Sequence, residues 1–339
     1  MQVFDVVCVG DSVLDVFMTA GQSDYVKYDK ESDKLILHAG SKVLIDTAGF
    51  TLGGNASNVA VGLSRLGFHV SLVAEHGDDE FAQKIRKGLL SENVSLDATK
   101  VTPGAPSTFS AGITIGGERT LFIHHVKREH QLSLDNLQAE WVYLTSMGEE
   151  WEEMYRKVLE YVKTSGAKLA FNPGSAQMKA GYESFKDVVS MSDILFVNRD
   201  EAEEILYGKL RRQEEKESTE SLLFRVQRMG PKMVVITDGE NGSYVLDSAN
   251  QIFHEGIVSG KVKIGKTGVG DSYASGFLGA VMSGKDTQTA MQWGTHNAGA
   301  VLEHIGAQTN LLTKDELEKR IERQKVEVEG EKLEQKGME

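Results

Sequence analysis

The sequence predicts a doubly wound, mainly parallel α/β sheet with a second, small β sheet beside it. Three observations carry this prediction. Short Val/Ile/Leu/Phe runs alternate with helix-period segments along most of the chain, as parallel strands covered on both faces require. Polar residues end several of these runs, at Asp11, Asn172, Asn198 and Thr237, where open sheets of this class bind ligands. Two separate segments, at about 12–51 and 107–127, replace the alternation with short strand-like runs that supply the small sheet.

The apolar run at 3–9 reads as a buried strand ending at Gly10 and Asp11. Asp15 lies just beyond, either in ligand position or in a solvated turn. Leu35–Leu37 and Lys42–Ile45 read as one strand pair; Phe109–Ile115 and Thr120–His125, joined by Gly116-Gly117, read as another. These four strands are expected to form one sheet that serves as a lid. Between the pairs, LGGNASNVAVGLSRLG places the turn Gly53-Gly54 before a helix with the apolar face Val59, Ala60, Leu63 and Leu66. Asn55 or Ser57 is expected to cap that helix and Gly67 to end it. The two glycines also let main-chain N–H groups approach a small polar ligand.

Beyond Gly67 the rhythm is βα: strand 70–74, helix 79–91, strand 141–144, helix 151–164, strands 168–171 and 194–197, helix 200–207 and strand 233–237. Asn198 and Glu201 stand three apart at a helix mouth, as a capping box or as a pair addressing one hydrated Mg²⁺. The charged run 209–220 reads as a solvated loop or helix edge. Thr313 reads as the cap of a last helix with Leu317 and Ile321 inward. Residues 326–339 make a charged tail with almost nothing to bury, which leaves 1–325 as the folded domain.

The stretch GKTGVGDSYASGFLGAVMSG, residues 265–284, organises the rest of the chain. Gly268, Val269 and Gly270 make a tight turn into a buried helix whose first N–H groups suit an anion. Asp271 would repel a phosphate there if it served only as a cap. Its presence suggests a base that takes a proton from a hydroxyl while the turn holds the phosphoryl group under attack. An ordinary Asp cap would use the same letters. GKVKIGKT at 260–267 also satisfies the P-loop pattern, yet Gly268 and Gly270 would break the first turn of the helix that motif needs.

With 339 residues, 40% hydrophobic and 26% charged, the chain has a globular composition. A net charge of −13 with no basic block argues against nucleic acid as a partner, though not against a phosphorylated ligand held by local N–H groups. The single cysteine, Cys8, forms no internal disulfide and points to the cytoplasm. No apolar segment has the length of a signal peptide or a membrane span, so no membrane partner is expected. The nine histidines, His124 and His125 included, contain no zinc-spaced set.

Through the order and separation of GGNASNVAVGLSRLG, N-x-x-E at 198–201 and GVGDSYASGFLGA, the chain resembles the ribokinase-like, or PfkB, family of carbohydrate and nucleoside kinases from Val3 to about Ile321. The resemblance implies a Rossmann-like three-layer domain with a small β lid, ATP and Mg²⁺, and phosphorylation of a primary hydroxyl of a sugar. A nucleoside is the alternative acceptor. It implies Asp271 as catalytic base and the N–H groups of Gly268, Val269 and Gly270 as an anion hole. Asn198 and Glu201 match the Mg²⁺ and phosphate network, acting through water; Thr237 and Gly239 match nucleotide contacts, and Asn297 falls on the helix bordering the adenine. On the acceptor side Asp15, Gly53, Gly54 and Asn58 match positions that bind substrate hydroxyls, with Asp11 and Asn172 as weaker matches.

In several members of that family the lids pair into dimers, and the edge of a small exposed sheet favours a homodimer here. Gly265 and Lys266 depart from the Asp-Thr that helps build the family's monovalent-cation site, so that site does not carry over. The ammonium of Lys266 is expected to replace part of the cation's charge and to contact the nucleotide. Val13 stands where ribose kinases have a sugar-contacting Asn, so strict ribose specificity does not carry over either. A catalytically silent sugar or nucleotide sensor is the alternative class, which the retention of Asp271 with both glycines opposes.

Overall fold

The computed structural model describes residues 2–208, 217–258 and 267–324. Its middle layer is an eight-stranded sheet in the order Ile252–Glu255, Ser243–Leu246, Met233–Thr237, Ile194–Asn198, Lys168–Phe171, Leu137–Leu144, Gln2–Val9 and Val70–Val73. The last six strands are parallel, and the first two add antiparallel at one edge. Gln2–Val9 lies inside the sheet, which explains its unbroken apolar run: Val6 and Cys8 enter one core, Val7 and Val9 the other. The first core takes in the helices Asn55–Arg65, Glu80–Ser91, Val269–Met282 and Thr287–Leu302. The opposite core takes in Glu152–Ser165, Lys186–Met191, Arg199–Tyr207 and Thr219–Gln227. Helices thus cover both faces, the three-layer arrangement that the alternation predicts.

The small sheet has a different membership from the one expected. Its order is Glu118–His124, Phe109–Ile115, Val13–Ala20 and Thr47–Gly53. Both segments contribute, but the front one does so through 13–20 and 47–53 rather than 35–37 and 42–45. Lys34–Leu37 pairs with Val26–Asp29 in a separate hairpin, and 42–45 forms no strand. The physical reason is packing: Leu44 is 88% exposed, whereas Val13–Ala20 has a strand partner on each side. Asp15 therefore sits on a strand, paired with Ser110 on one side and Thr51 on the other, and not in a solvated turn.

The start of the helix Asn55–Arg65 is a second correction. Gly54, at φ 93°, holds the N-cap position and no side chain caps it. Ser57 lies inside the first turn, so its hydroxyl donates backward, to Gly53 O at 2.5 Å and Gly54 O at 3.1 Å. The last helix, 314–324, starts as expected: Thr313 Oγ1 accepts from Glu316 N, Glu316 accepts from Thr313 N, and Leu317 and Ile321 are buried. Of the charged run, Thr219 and Glu220 open a helix capped by Ser218, while 209–216 and the tail beyond 324 lie outside the described residues.

Candidate active site

The helix Val269–Met282 begins directly after Gly268, which takes the left-handed conformation at φ 76°. A Cβ at Gly268 would come within 2.3 Å of Ala307 Cβ, so the turn needs glycine for its backbone and for its space. The N–H groups from Gly268 to Asp271 have no acceptor within the helix, and they open on a cleft of about 250 Å³. Asn172, Asn198 and Thr237, from three strand ends of the main sheet, line the same cleft together with Glu201 in the first turn of the helix Arg199–Tyr207. Thr267 lies in the turn before the helix rather than in its first turn, contrary to the P-loop pattern; residues 260–266, Lys266 among them, lie outside the described residues.

Asp271 is the third residue of its helix, so it is not the N-cap. Its Oδ2 accepts a hydrogen bond from Asn58 Nδ2 at 2.7 Å. Burial pushes its carboxyl up to about 7, against the pull of the Asn58 hydrogen bond and with a smaller push from the Glu201 charge. Asn58 is oriented in turn by Gln308, whose Nε2 donates to Asn58 Oδ1 at 3.0 Å and to Ser57 Oγ at 3.2 Å. The carboxylate thus has a fixed donor partner and a proton affinity poised near neutrality, as a general base requires.

Asp15 is buried and accepts from Ser110 Oγ at 2.5 Å. Burial raises its carboxyl, offset in part by Ser110 and by the charge of Arg119. Gly53 is there for room: a Cβ would lie 2.3 Å from Asp15 Oδ2, while one on Gly54 would lie 2.5 Å from Asp11 O. Asp11 is half-buried, its Oδ2 accepting from Ser146 Oγ at 3.3 Å, and desolvation by the surrounding protein pushes its carboxyl up to about 7. It faces a separate small cavity, not the cleft with Asp271.

Asn198 and Glu201 form both halves of a capping box, the first reading of N-x-x-E, and both also line the cleft. Desolvation raises the Glu201 carboxyl. Asn172 also lines the cleft, although its Nδ2 donates to Phe196 O at 2.8 Å. Gly239 lies just past Thr237 in a single 3₁₀ turn and is not among the cleft-lining residues. Asn297 is fully buried: its amide donates to Ser272 O and Ser275 Oγ and accepts from Leu312 N, so it fastens the two long helices instead of offering a polar atom to a ligand. No group of three or more His, Cys, Asp or Glu suited to a metal occurs among the described residues. An Mg²⁺ at this cleft fits only as a hydrated ion held mainly by phosphates, with Glu201 and Asn198 beside it.

A family model for pfkB family carbohydrate kinases matches residues 4–314. The chain belongs to that family. A nucleoside kinase of Methanocaldococcus jannaschii is 26% identical over 294 residues, 84% of this chain and 90% of that protein. A 5-dehydro-2-deoxygluconokinase of Halalkalibacterium halodurans is 23% identical over 350 residues, 94% of this chain and 95% of that one. The structure of Arabidopsis thaliana ribokinase complexed with ribose and ATP superposes with a TM-score of 0.76 at 19% identity, covering 94% of this chain and 98% of that one, which shows the shared fold.

The pfkB-family motifs do not contain three of the residues that build this site. Gln308, Ser110 and Arg119 reach Asn58, Asp15 and Thr267 from 250, 95 and 148 residues away in sequence. Arg119 Nη1 donates to Thr267 Oγ1 at 2.7 Å, tying the small sheet to the turn that carries the N–H groups. Gly112, on the neighbouring strand, makes room for that guanidinium: a Cβ there would lie 2.7 Å from Arg119 Nε. The single glycine inside that strand, Gly112, is the sequence signal that marks the close approach.

Proposed function

We propose that this pfkB-family chain transfers the γ-phosphoryl group of ATP to a primary hydroxyl of a sugar or of the sugar part of a nucleoside. The observation that carries this reading is Asp271: a buried carboxyl pushed up to about 7, at the mouth of a helix whose free N–H groups line the same cleft. Asp271 takes the proton of the attacking hydroxyl, with Asn58 holding the carboxylate in place. The N–H groups from Gly268 to Gly270 accept the charge of the phosphoryl group in transfer. Glu201, Asn198 and Thr237 lie on the nucleotide side, and a hydrated Mg²⁺ there would supply charge neutralisation of the phosphates. Asp15 orients acceptor hydroxyls, with Gly53 clearing space around it and Gly54 letting the backbone pass close to Asp11 and Ser12.

The small sheet acts as a lid that excludes water as a competing acceptor. Phe50, Phe122 and Ile123 on it are exposed, which supports pairing of two lids in a homodimer. Lys266 would supply positive charge where the family's cation site is not carried over. A cytoplasmic setting agrees with the single buried cysteine, and among the described residues no helix is long and apolar enough to cross a membrane.

The test is ADP release from Mg-ATP across ribose, fructose, 2-keto-3-deoxygluconate, adenosine, inosine, guanosine and cytidine, with Asp271→Asn alongside. Turnover with one acceptor that is lost in the Asn variant supports the kinase. Binding without ADP release above the variant would make the protein a sensor.

A further inference from the structure

The segment 306–308, between the helix Thr287–Leu302 and the last helix, touches three parts of the site with three consecutive residues. Gly306, at φ 107°, has no room for a side chain: a Cβ there would lie 2.8 Å from Thr51 Cγ2, on the small-sheet strand Thr47–Gly53. Thr51 is the cross-strand partner of Asp15. Ala307 is buried against Gly268, where a methyl would lie 2.3 Å from its Cβ and 2.7 Å from its Cα. Gln308, also buried, reaches Ser57 and Asn58 on the helix Asn55–Arg65. One short stretch outside both signature motifs thus bears on the small sheet, on the turn at Gly268 and on the partner of Asp271.

The hydrogen bonds at Gln308 run in a fixed direction. Ser57 Oγ lies 2.5 Å from Gly53 O and 3.1 Å from Gly54 O, carbonyls that only accept, so its single hydrogen is spent there. Toward Gln308 Nε2, 3.2 Å away, Ser57 can therefore only accept. An ionised Asp271 also only accepts, so Asn58 turns its NH2 to Oδ2, at 2.7 Å, and its Oδ1 to Gln308, at 3.0 Å. Between Ser57 and Asn58 the chain needs an uncharged group with two hydrogens on one atom. The amide nitrogen of Gln308 is that group, and it spends one hydrogen on each neighbour.

Orientation is what this arrangement secures. With Gln308 in place, an Asn58 amide turned over would set NH2 against NH2 on one side and oxygen against oxygen on the other, so one orientation stands. Without Gln308, Asn58 Oδ1 loses its donor, and Asn58 is free to turn away from Asp271. All four side chains are buried, which makes water a poor substitute.

We propose that the segment 306–308 is a positioning element, Gln308 holding the Asn58 amide in the one orientation that serves Asp271 and Ala307 backing the turn at Gly268. The inference rests on the kinase reading above and deepens it: the base and the anion-binding turn are set from one place, by residues that do not line the cleft. Two further ionisable groups share the field of Asp271, the cleft-lining Glu201 and the buried Tyr143, and both stay unchanged in the variants below.

The experiment compares Gln308→Met, Asn58→Ala, the two together and Ala307→Gly with the natural protein, by kcat/KM against pH with the best acceptor of the panel above. Met keeps the length and bulk of Gln without the donor, so a role in packing alone survives the change. Gln308→Met is expected to move the acidic limb to higher pH and to lower activity about fivefold at about pH 7, with recovery by about pH 9 and the KM for ATP within about twofold. Added to Asn58→Ala it should change little, because both act through one contact. Ala307→Gly should lower kcat about fivefold with the limb unmoved, as loosening of the turn alone would do. An unmoved limb in Gln308→Met, or effects of the Gln308 and Asn58 changes that simply add, overturns the role of Gln308; an unchanged kcat in Ala307→Gly overturns that of Ala307.

Melting reads the Gln308 contact without turnover. The Asp271 carboxyl already stands at about 7, above its ordinary 3.8, and raising it further removes stability only at the alkaline end. Gln308→Met should therefore lower the melting temperature more at about pH 9 than at about pH 5, and the excess should vanish when Asp271→Asn is added. Should no compound release ADP, the kinase reading fails by itself; the alkaline excess then still upholds the place of Gln308. An equal loss at both pH values, or an excess that persists with Asp271→Asn, overturns it. Gln308→Ala is read by the same two measurements should Gln308→Met not fold.

Discussion

Asn58 Nδ2 stands 2.7 Å from Asp271 Oδ2, a contact between the first helix of the chain and the turn 213 residues later. It joins the two signature stretches into one device: one supplies the carboxylate, the other the donor that stabilises its charged form. Asn58→Ala removes that donor from a buried group, so the Asp271 carboxyl rises above about 7. The predicted consequence is a kcat/KM profile whose acidic limb moves to higher pH, with activity near neutrality down about tenfold and largely recovered at about pH 9. An unshifted limb in the variant would show that the contact does not tune the base.

The same burial makes Asp271 a liability for the fold. Its folded-state value, about 7, is above its ordinary 3.8, so its contribution to stability is fully present below the lower value. It is lost as pH rises through the upper one. The difference corresponds to something on the order of 4 kcal/mol across that window. Asp271→Asn keeps the shape without the charge, and it is expected to raise the melting temperature clearly at about pH 8 and little at about pH 4, as seen by differential scanning calorimetry. Equal shifts at both values would contradict the assignment of a raised carboxyl.

Gly268→Ala meets two obstacles at once. The residue sits at φ 76°, and the new methyl would lie 2.3 Å from Ala307 Cβ. The backbone term alone costs about 1–2 kcal/mol. The contact must then be relieved by moving the turn, which displaces the N–H groups that open on the cleft. Activity should therefore fall about 10²-fold, the scale of losing one oxyanion donor, in protein that still folds. A variant of lower stability but unchanged kcat would place the phosphoryl group elsewhere.

What the sequence made legible was local. The run 3–9 could be read as an interior strand because its pattern repeats on both faces, and the turn at 268–271 because glycine and a helix start leave few alternatives. The two antiparallel strands at one end of the sheet, Ser243–Leu246 and the edge strand Ile252–Glu255, escaped notice because each is four residues long and Ile252–Glu255 has no buried residue to create a period. In the small sheet, alternation at 35–37 marked a true strand but could not show that its partner is 26–29, since pairing is set by turns and packing far from the run itself. Position alone likewise could not show that Asn297, on the expected helix, spends its amide on Ser272, Ser275 and Leu312.

Arg119 belongs to the part that only the folded chain shows. Its Nη1 donates to Thr267 Oγ1 at 2.7 Å, its charge lowers the Asp15 carboxyl, and its buried Nε has no partner. One guanidinium thus acts on Asp15, the proposed acceptor carboxylate, and on Thr267, which precedes the turn proposed to hold the phosphoryl group, from a strand of the small sheet. Arg119→Ala is expected to remove the bond that holds sheet and turn together and the positive charge near the reacting groups, lowering kcat by about 10²-fold while leaving the melting temperature nearly unchanged. Arg119→Lys retains the charge without the planar fork and should fall between the two. The Ala variant should also hydrolyse ATP without acceptor faster, relative to transfer, because water is less well excluded. Full kcat in Arg119→Ala, with hydrolysis no higher than in the natural protein, would reduce the contact to a structural tie.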